Sequence, residues 1–318
     1  MHVVVIGGTG HVGTYLVPRL VEAGHAVTVV TRGSRDPYTP HSAWKSVARI
    51  VLDRAAEERA GTFGSRIRDL KPDAVIDMIC FTLESAQHLV EALRGHVQHF
   101  LHCSTCWVHG KTVTIPVTED QPRAPIGDYG LRKAAIEAYL HREARLNGFP
   151  ETCILPGHIV GPGWVPLNPA GNFNPLVYTR LARGEELLIP NQGLEIVHHV
   201  HADDVAQLFM KALTTWNAAV GESFHAVSPA AMTLRGYAEA LAAWFGQPAR
   251  LSFLPFEEWK QTVSAQDADS SWGHLEHSPN CYSIAKGQRL LDYQPRYSSL
   301  QAVCESVSWL IATQKINP

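Results

Sequence analysis

The stretch that decides the fold is Val3-Val4-Val5-Ile6-Gly7-Gly8-Thr9-Gly10-His11-Val12-Gly13. Four apolar residues in a row suit a strand buried on both faces of a parallel sheet. The residues after them space three glycines as Gly7-x-x-Gly10-x-x-Gly13. Apolar positions Val12, Leu16, Leu20 and Val21 then recur at helical intervals until Gly24. Strand, glycine turn and helix in this order form a phosphate cradle. The first glycine permits the tight turn, the second lets backbone N–H groups reach a pyrophosphate, and the third lets helix and strand pack closely.

Outward from this unit the alternation continues. Strand patterns fall at 26–30, 48–52, 74–79, 100–103 and 153–155, with helical stretches at 55–70, 83–93 and 128–147 between them. Such regular alternation predicts an α/β fold with a doubly wound parallel (Rossmann) sheet. After Pro156 the chain becomes rich in Gly and Pro and reads as a long irregular loop over 157–175. Helices are expected at 176–183, 202–216, 234–245 and 300–311, and a strand at 222–227. The expected organisation is a dinucleotide-binding domain over 1–165, rejoined by 195–228. Residues 166–194 and 229–318 would form a small mixed C-terminal substrate lobe.

The chain has 318 residues, 45% of them apolar, and a formal net charge of −3. That length supports a full core without staples. The charge does not suggest a general nucleic-acid or anionic-membrane binder. Of the six cysteines, Cys103 and Cys106 stand as a single C-x-x-C, with no second pair to complete a zinc set, and most lie in apolar runs, as expected of reduced thiols in a cytoplasmic protein. No apolar run is long enough to span a membrane. His198, His199 and His201 lack an assured third ligand, so no metal site is expected.

The residues after the second strand bear on cofactor choice. Val30-Thr31-Arg32-Gly33-Ser34-Arg35 carries no acid for a ribose 2′-hydroxyl, and Arg32 and Arg35 suit a 2′-phosphate. NAD(P) is therefore expected, with NADP favoured over NAD. Asp53 would either meet the adenine amino group or cap the helix after it. Tyr129 and Lys133 stand four apart on one helix face. A nearby ammonium is expected to lower the phenol pKa so that Tyr129 can exchange protons. Ser104-Thr105 follows the fifth strand, where strand ends surround the ligand crevice.

In order and spacing these pieces resemble the extended short-chain dehydrogenase/reductases, the epimerase/dehydratase group. The matching segments are GGTGHVG, Asp53, Ser104 to Gly110, Tyr129 with Lys133, Pro156 to Pro162, and His201-Ala202-Asp203-Asp204-Val205-Ala206. The resemblance implies catalytic Thr105, Tyr129 and Lys133. It implies cofactor contacts at Gly7, Thr9, Gly10, His11, Val12, Gly13, Arg32, Arg35, Asp53, Ile79, Cys80, Tyr129, Lys133, Pro156 and His158. Candidate substrate residues are Thr82, Cys106, Trp107, Trp164, Asn174 and His201. It also implies homodimerisation through the helices at 83–93 and 128–147.

The sequence departs from that family where dehydrating members carry Asp-Glu after the Thr; Cys106-Trp107 stands there. Residues 195–199 and 270–282 contain no Arg or Lys to hold a substrate diphosphate. The expectation is an oxidoreductase or epimerase that moves hydride to or from a small polar, sugar-like molecule rather than a nucleotide sugar. The alternative is a catalytically silent member that senses NAD(P) or binds RNA.

Overall fold

The computed structural model describes residues 1–318. Its centre is a seven-stranded sheet built from β1 (His2–Ile6), β2 (Ala26–Thr31), β3 (Ala48–Val51), β4 (Ala74–Asp77), β5 (His99–Cys103), β6 (Glu151–Pro156) and the Glu222–Ala226 strand. The spatial order is Glu222–Ala226, β6, β5, β4, β1, β2, β3, and every pairing is parallel. The chain winds outward from β1 in one direction and returns to β4 for the other. The crevice between these two halves opens beyond the carboxyl ends of β1 and β4.

β1 registers with both neighbours, Val5 opposite Val29 on one side and Ile76 on the other. These side chains are buried, which explains the unbroken apolar run. Helices α1 (His11–Glu22), α4 (Leu83–Leu93) and α5 (Gly127–Asn147) follow β1, β4 and β5 in sequence. The helix expected over 55–70 is two pieces, α2 (Arg54–Arg59) and α3 (Phe63–Asp69), separated at Gly61, which has φ +70°. No helix is long and apolar enough to cross a membrane.

A second apolar core gathers Val160, Leu167, Tyr178, Ile189, Val197, Tyr237, Leu241, Trp259, Val303 and Leu310. Its frame includes a short parallel pair, Leu187–Pro190 with Leu251–Leu254. The boundary between the cores differs from the sequence expectation in two places. Tyr282, Ile284, Leu291 and Tyr293 pack with the sheet core, although 229–318 was expected to be lobe. Within the expected loop, His158–Val160 is a strand paired in parallel with His199–His201. A three-residue strand shows little periodicity, so Gly and Pro dominated the reading there.

Candidate active site

The glycine turn is shaped by backbone crowding. Gly7 has φ +82°, a conformation that a side chain would strain. A Cβ on Gly13 would lie 2.1 Å from the Gly8 carbonyl oxygen, so helix and strand approach as closely as backbones can. Gly10 caps α1 without a side-chain bond, and the N–H groups of His11, Val12 and Gly13 have no acceptor. Three free donors at the positive end of a helix fit a pyrophosphate. Thr9 bonds Thr31 at 3.1 Å, tying this turn to the end of β2.

Beside the turn lies a cavity of about 690 Å³, lined in part by Ile6, Arg32, Asp53, Ile79, Phe81 and Thr82. Its position at the ends of β1, β2 and β4 suits the adenosine half of a dinucleotide. Arg32 is exposed and forms no hydrogen bond or ion pair with the protein. Arg59 also lines the cavity with no carboxylate partner; the sequence reading passed over it because it looked like one more charge on a helix. Arg54, by contrast, is spent on Asp77 and Glu58 at 2.7–2.9 Å. Arg35 does not join the cavity and lies 3.5 Å from the Tyr38 hydroxyl. Asp53 accepts the Ala56 N–H at 3.0 Å, so it caps α2 while its residue lines the cavity.

The second constellation stands at the ends of β4 and β5. The Lys133 ammonium is buried and donates to the carbonyls of Cys80 at 2.8 Å and Cys103 at 2.7 Å. It is thereby fixed between the two strand ends, and burial pushes its pKa down. Thr105 starts a short 3-10 turn, its hydroxyl accepting the Trp107 N–H at 3.3 Å. Tyr129 is partly open to solvent, yet desolvation pushes its phenol up to about 12, with the Cys103 and Cys106 thiols adding to the rise and a hydrogen bond with Thr105 opposing it. This corrects the expectation of a phenol lowered by Lys133. The ammonium is committed to two carbonyls and is not among the groups that set the phenol, which burial raises, so Tyr129 holds its proton at neutral pH.

Trp107 joins this site from the far side. Its ring meets Tyr129 edge-on at 6.1 Å, stacks on His277 at 3.9 Å, and meets His274 and His158 at 5.3 and 6.0 Å. His158 was expected against the cofactor, but its nearest ring neighbours are His274 and Trp107. His274 and His277 were missed from the sequence. They sit at the end of the Ala265–Leu275 helix and just beyond it, some 170 residues from Trp107, and no motif marks them.

The remaining candidates separate. Cys106 is fully buried and its thiol donates to the Leu155 carbonyl at 3.0 Å, with burial raising its pKa; it packs rather than faces substrate. His201 is buried as the cap of the Ala202–Thr214 helix, pairs with Glu305 at 2.6 Å and stacks on Tyr297. Trp164 stacks on His11 at 4.7 Å and donates to Tyr38, so it covers the start of α1 instead of the Tyr129 site. Thr82 caps α4 and lines the adenosine-side cavity. Asn174 bonds Asp267 at 3.0 Å in a separate cavity of about 300 Å³, which Arg180 also lines. Of the six substrate candidates, only Trp107 lies in the ring cluster that meets Tyr129. Cys80, Pro156 and Ile79 are main-chain neighbours of the site: Cys80 supplies a carbonyl to Lys133, and Pro156 ends β6.

Residues 3–226 match the model of the NAD dependent epimerase/dehydratase family. The chain belongs to this family. Among curated relatives, it is 27% identical to the chloroplast stem-loop binding protein of 41 kDa b from Arabidopsis thaliana, covering 96% of this chain and 78% of that protein. It is 26% identical to 2′-dehydrokanamycin reductase from Streptomyces kanamyceticus, covering 99% and 86%. Several further relatives are named as dTDP-glucose 4,6-dehydratase or UDP-glucose 4-epimerase. Among solved structures, UDP-glucose 4-epimerase from Thermotoga maritima superposes with a TM-score of 0.75 at 21% identity, covering 99% and 100% of the two chains. The chain is thus an enzyme of the extended short-chain dehydrogenase/reductase type, with the fold of the nucleotide-sugar epimerases.

Proposed function

We propose that this enzyme moves hydride reversibly between NADP and a hydroxyl or carbonyl carbon of a small sugar-like substrate, as an oxidoreductase or epimerase. The observation that carries the reading is the convergence of Thr105, Tyr129 and Lys133 at the strand ends beside the glycine turn. When bound, the nicotinamide supplies or accepts the hydride. The residues of the chain manage the accompanying proton. In the reducing direction Tyr129, protonated at neutral pH, gives its proton to the carbonyl oxygen as hydride reaches the carbon, leaving an alcohol and a phenolate. Thr105 orients that oxygen by hydrogen bonding, and the Lys133 ammonium, anchored nearby, favours the phenolate that forms.

The free guanidinium of Arg32, with Arg59 in the lining of the same cavity, supports NADP over NAD. Support for a substrate without a diphosphate comes from the rings gathered around Tyr129, Trp107 with His158, His274 and His277, among which no Lys or Arg stands. This departs from the relatives named for UDP- or dTDP-sugars and lies nearer to the relative named for 2′-dehydrokanamycin. Arg180 is the one cation lining the Asn174 cavity, and Asp267 shares that lining.

Two measurements test the reading. Tyr129→Phe should lower the rate of NADPH oxidation with a keto-sugar by about 10²–10⁴-fold; a loss below threefold would sink the assignment and favour a binding-only protein. Arg32→Ala should raise the NADP dissociation constant about tenfold and leave that for NAD within twofold. Tighter NAD binding by the parent protein would reverse the cofactor preference.

A further inference from the structure

The segment between β4 and α4 surrounds much of the Lys133 ammonium. Its Cys80 carbonyl accepts from Lys133 at 2.8 Å, and its Phe81 ring lies with the centroid 4.9 Å from the lysine nitrogen. The Cys103 carbonyl, at 2.7 Å, comes from β5. Residues 78–82 belong to neither strand nor helix. Their main chain is held at few points: the Met78 N–H bonds the Ile6 carbonyl, and the Ile79 N–H bonds the Asp77 carboxylate at 3.2 Å. Backbone outside a ladder takes its position from side chains.

The side chains that hold this segment close a ring. At its start, Arg54 Nη1 donates to both oxygens of Asp77, at 2.8 and 2.9 Å. Arg54 Nε donates to one oxygen of Glu58 at 2.7 Å. The other oxygen of Glu58 receives the Ser85 hydroxyl at 2.7 Å. At the end of the segment, the Ser85 N–H donates to the Thr82 hydroxyl at 3.2 Å. Arg54 therefore ties Asp77 to Thr82 by way of α2 and α4.

Stability does not account for this ring. Arg54 is 9% exposed and Asp77 0%. An ion pair so far from water returns little over apolar side chains of the same size. What it supplies is geometry, because the planar fork of an arginine fixes the angles of the carboxylates it holds. It also supplies charge. Burial works against the Lys133 ammonium, and the Asp77 carboxylate favours it.

We propose that Arg54 is a positioning residue for the hydride-transfer site: through Asp77, Glu58 and Ser85 it fixes the 78–82 segment, so that the Cys80 carbonyl and the Phe81 ring hold Lys133 in place. Its effect on rate rests on the hydride-transfer reading; its effect on Lys133 does not. Arg54, Glu58, Ile79, Phe81, Thr82 and Ser85 all line the adenosine-side cavity. The wall offered to one end of the cofactor and the lysine offered to the other are thus a single connected piece.

The test reads Lys133 directly. Acetic anhydride labelling of the full chain without cofactor at pH 8, resolved by peptide mass spectrometry, measures how freely its amine reacts relative to the exposed Lys71. Arg54→Lys keeps the charge but loses the fork, and should raise Lys133 labelling about fivefold. With NADPH and a keto-sugar it should lower kcat about tenfold, while the NADP dissociation constant stays within about threefold. Ser85→Ala opens the ring and leaves every charge paired, so it carries the test if Arg54→Lys does not fold. It should raise labelling about twofold and lower kcat about threefold, and Ser85→Thr, which restores the hydroxyl, should recover most of both. Lys286, held at the sheet edge by Glu222 and the Ser223 carbonyl, should label as in the parent. Unchanged Lys133 labelling, an equal rise at Lys286, a loss confined to NADP affinity, or a Ser85→Thr protein no better than Ser85→Ala would each overturn the proposal. If Lys133 labelling rises as expected but Tyr129→Phe reduces the keto-sugar at the parent rate, the positioning stands and the hydride-transfer reading fails.

Discussion

The two sides of the crevice are built on opposite principles. On the cofactor side, backbone does the recognising: three glycines clear the way, and the start of α1 leaves three N–H groups unpaired. On the side where the substrate is proposed to sit, side chains form the wall: imidazoles and Trp107 are packed together from distant segments. A backbone cradle needs only a short local pattern and serves any dinucleotide. A side-chain wall can be rebuilt residue by residue to suit one substrate.

The comparison can be broken most severely with acid. His99, His109 and His198 are buried and held neutral with pKa pushed to about 4, and His11 and His199 to about 3, in each case by burial first. Their folded values lie below the unfolded value of about 6.5. The stability they contribute is therefore present above pH 6.5 and is lost as pH falls toward 3–4. Each group loses about 1.4 kcal/mol per pH unit, or about 2 kcal/mol by pH 5. Five such groups together approach the whole stability of a typical domain, about 5–15 kcal/mol. Thermal unfolding followed by circular dichroism should show Tm falling by more than about 10 °C between pH 7 and 5. A flat Tm over that range would mean the imidazoles are not sealed.

The cradle can be broken by geometry. Gly13→Ala sets a Cβ against the Gly8 carbonyl and should destabilise the fold enough to prevent recovery of soluble protein. Gly10→Ala meets only the Gly7 oxygen at 3.3 Å, so it should fold with Tm within 3 °C of the parent. It should nevertheless weaken NADP at least tenfold in fluorescence titration, because the added methyl stands where the pyrophosphate approaches. Equal cofactor affinity in Gly10→Ala and the parent would remove the backbone argument.

A smaller effect probes the helix shared by both sides. His141 Nδ1 meets Glu151 at 2.7 Å, its Nε2 meets Ser223 at 2.9 Å, and Glu137 lies 3.6 Å away. Burial works against the charged ring, but the Glu137 and Glu151 carboxylates outweigh it and raise its pKa to about 9. The folded value is above the unfolded one, so this contribution is complete below pH 6.5 and disappears as pH rises through 9. It amounts to about 3 kcal/mol at most. His141→Gln should flatten the loss of Tm between pH 7 and 10; an unchanged slope would mean that another group sets it.

How much of this the sequence disclosed follows the same division. The glycine turn, the sheet strands and the Thr105, Tyr129, Lys133 set are local patterns, and each survives being read a few residues at a time. The histidine wall is not local. His274 and His277 acquire meaning only when the fold lays them on Trp107. Trp164 and His201 were misplaced for the complementary reason. His201 opens a segment that matches the family pattern and Trp164 lies just beyond another, but the fold turns them onto Glu305 and His11. Tyr129 was placed by spacing, yet its acidity was misread because spacing carries no information on burial.

Along α5, Tyr129, Lys133, Glu137 and His141 follow one another at four-residue steps. The first two belong to the proposed chemistry. The last two are fastened to Arg123, Ser223 and Glu151 at the far edge of the sheet. One helix thus acts as a keyed shaft, with the working end and the locking end cut on the same line. Adding or deleting one residue between Lys133 and Glu137 would turn one end by about 100° relative to the other. Such a change must sacrifice either the lock or the chemistry. Variation in this protein can therefore exchange side chains along α5, but it cannot alter the length of the helix between those two residues without separating the two ends.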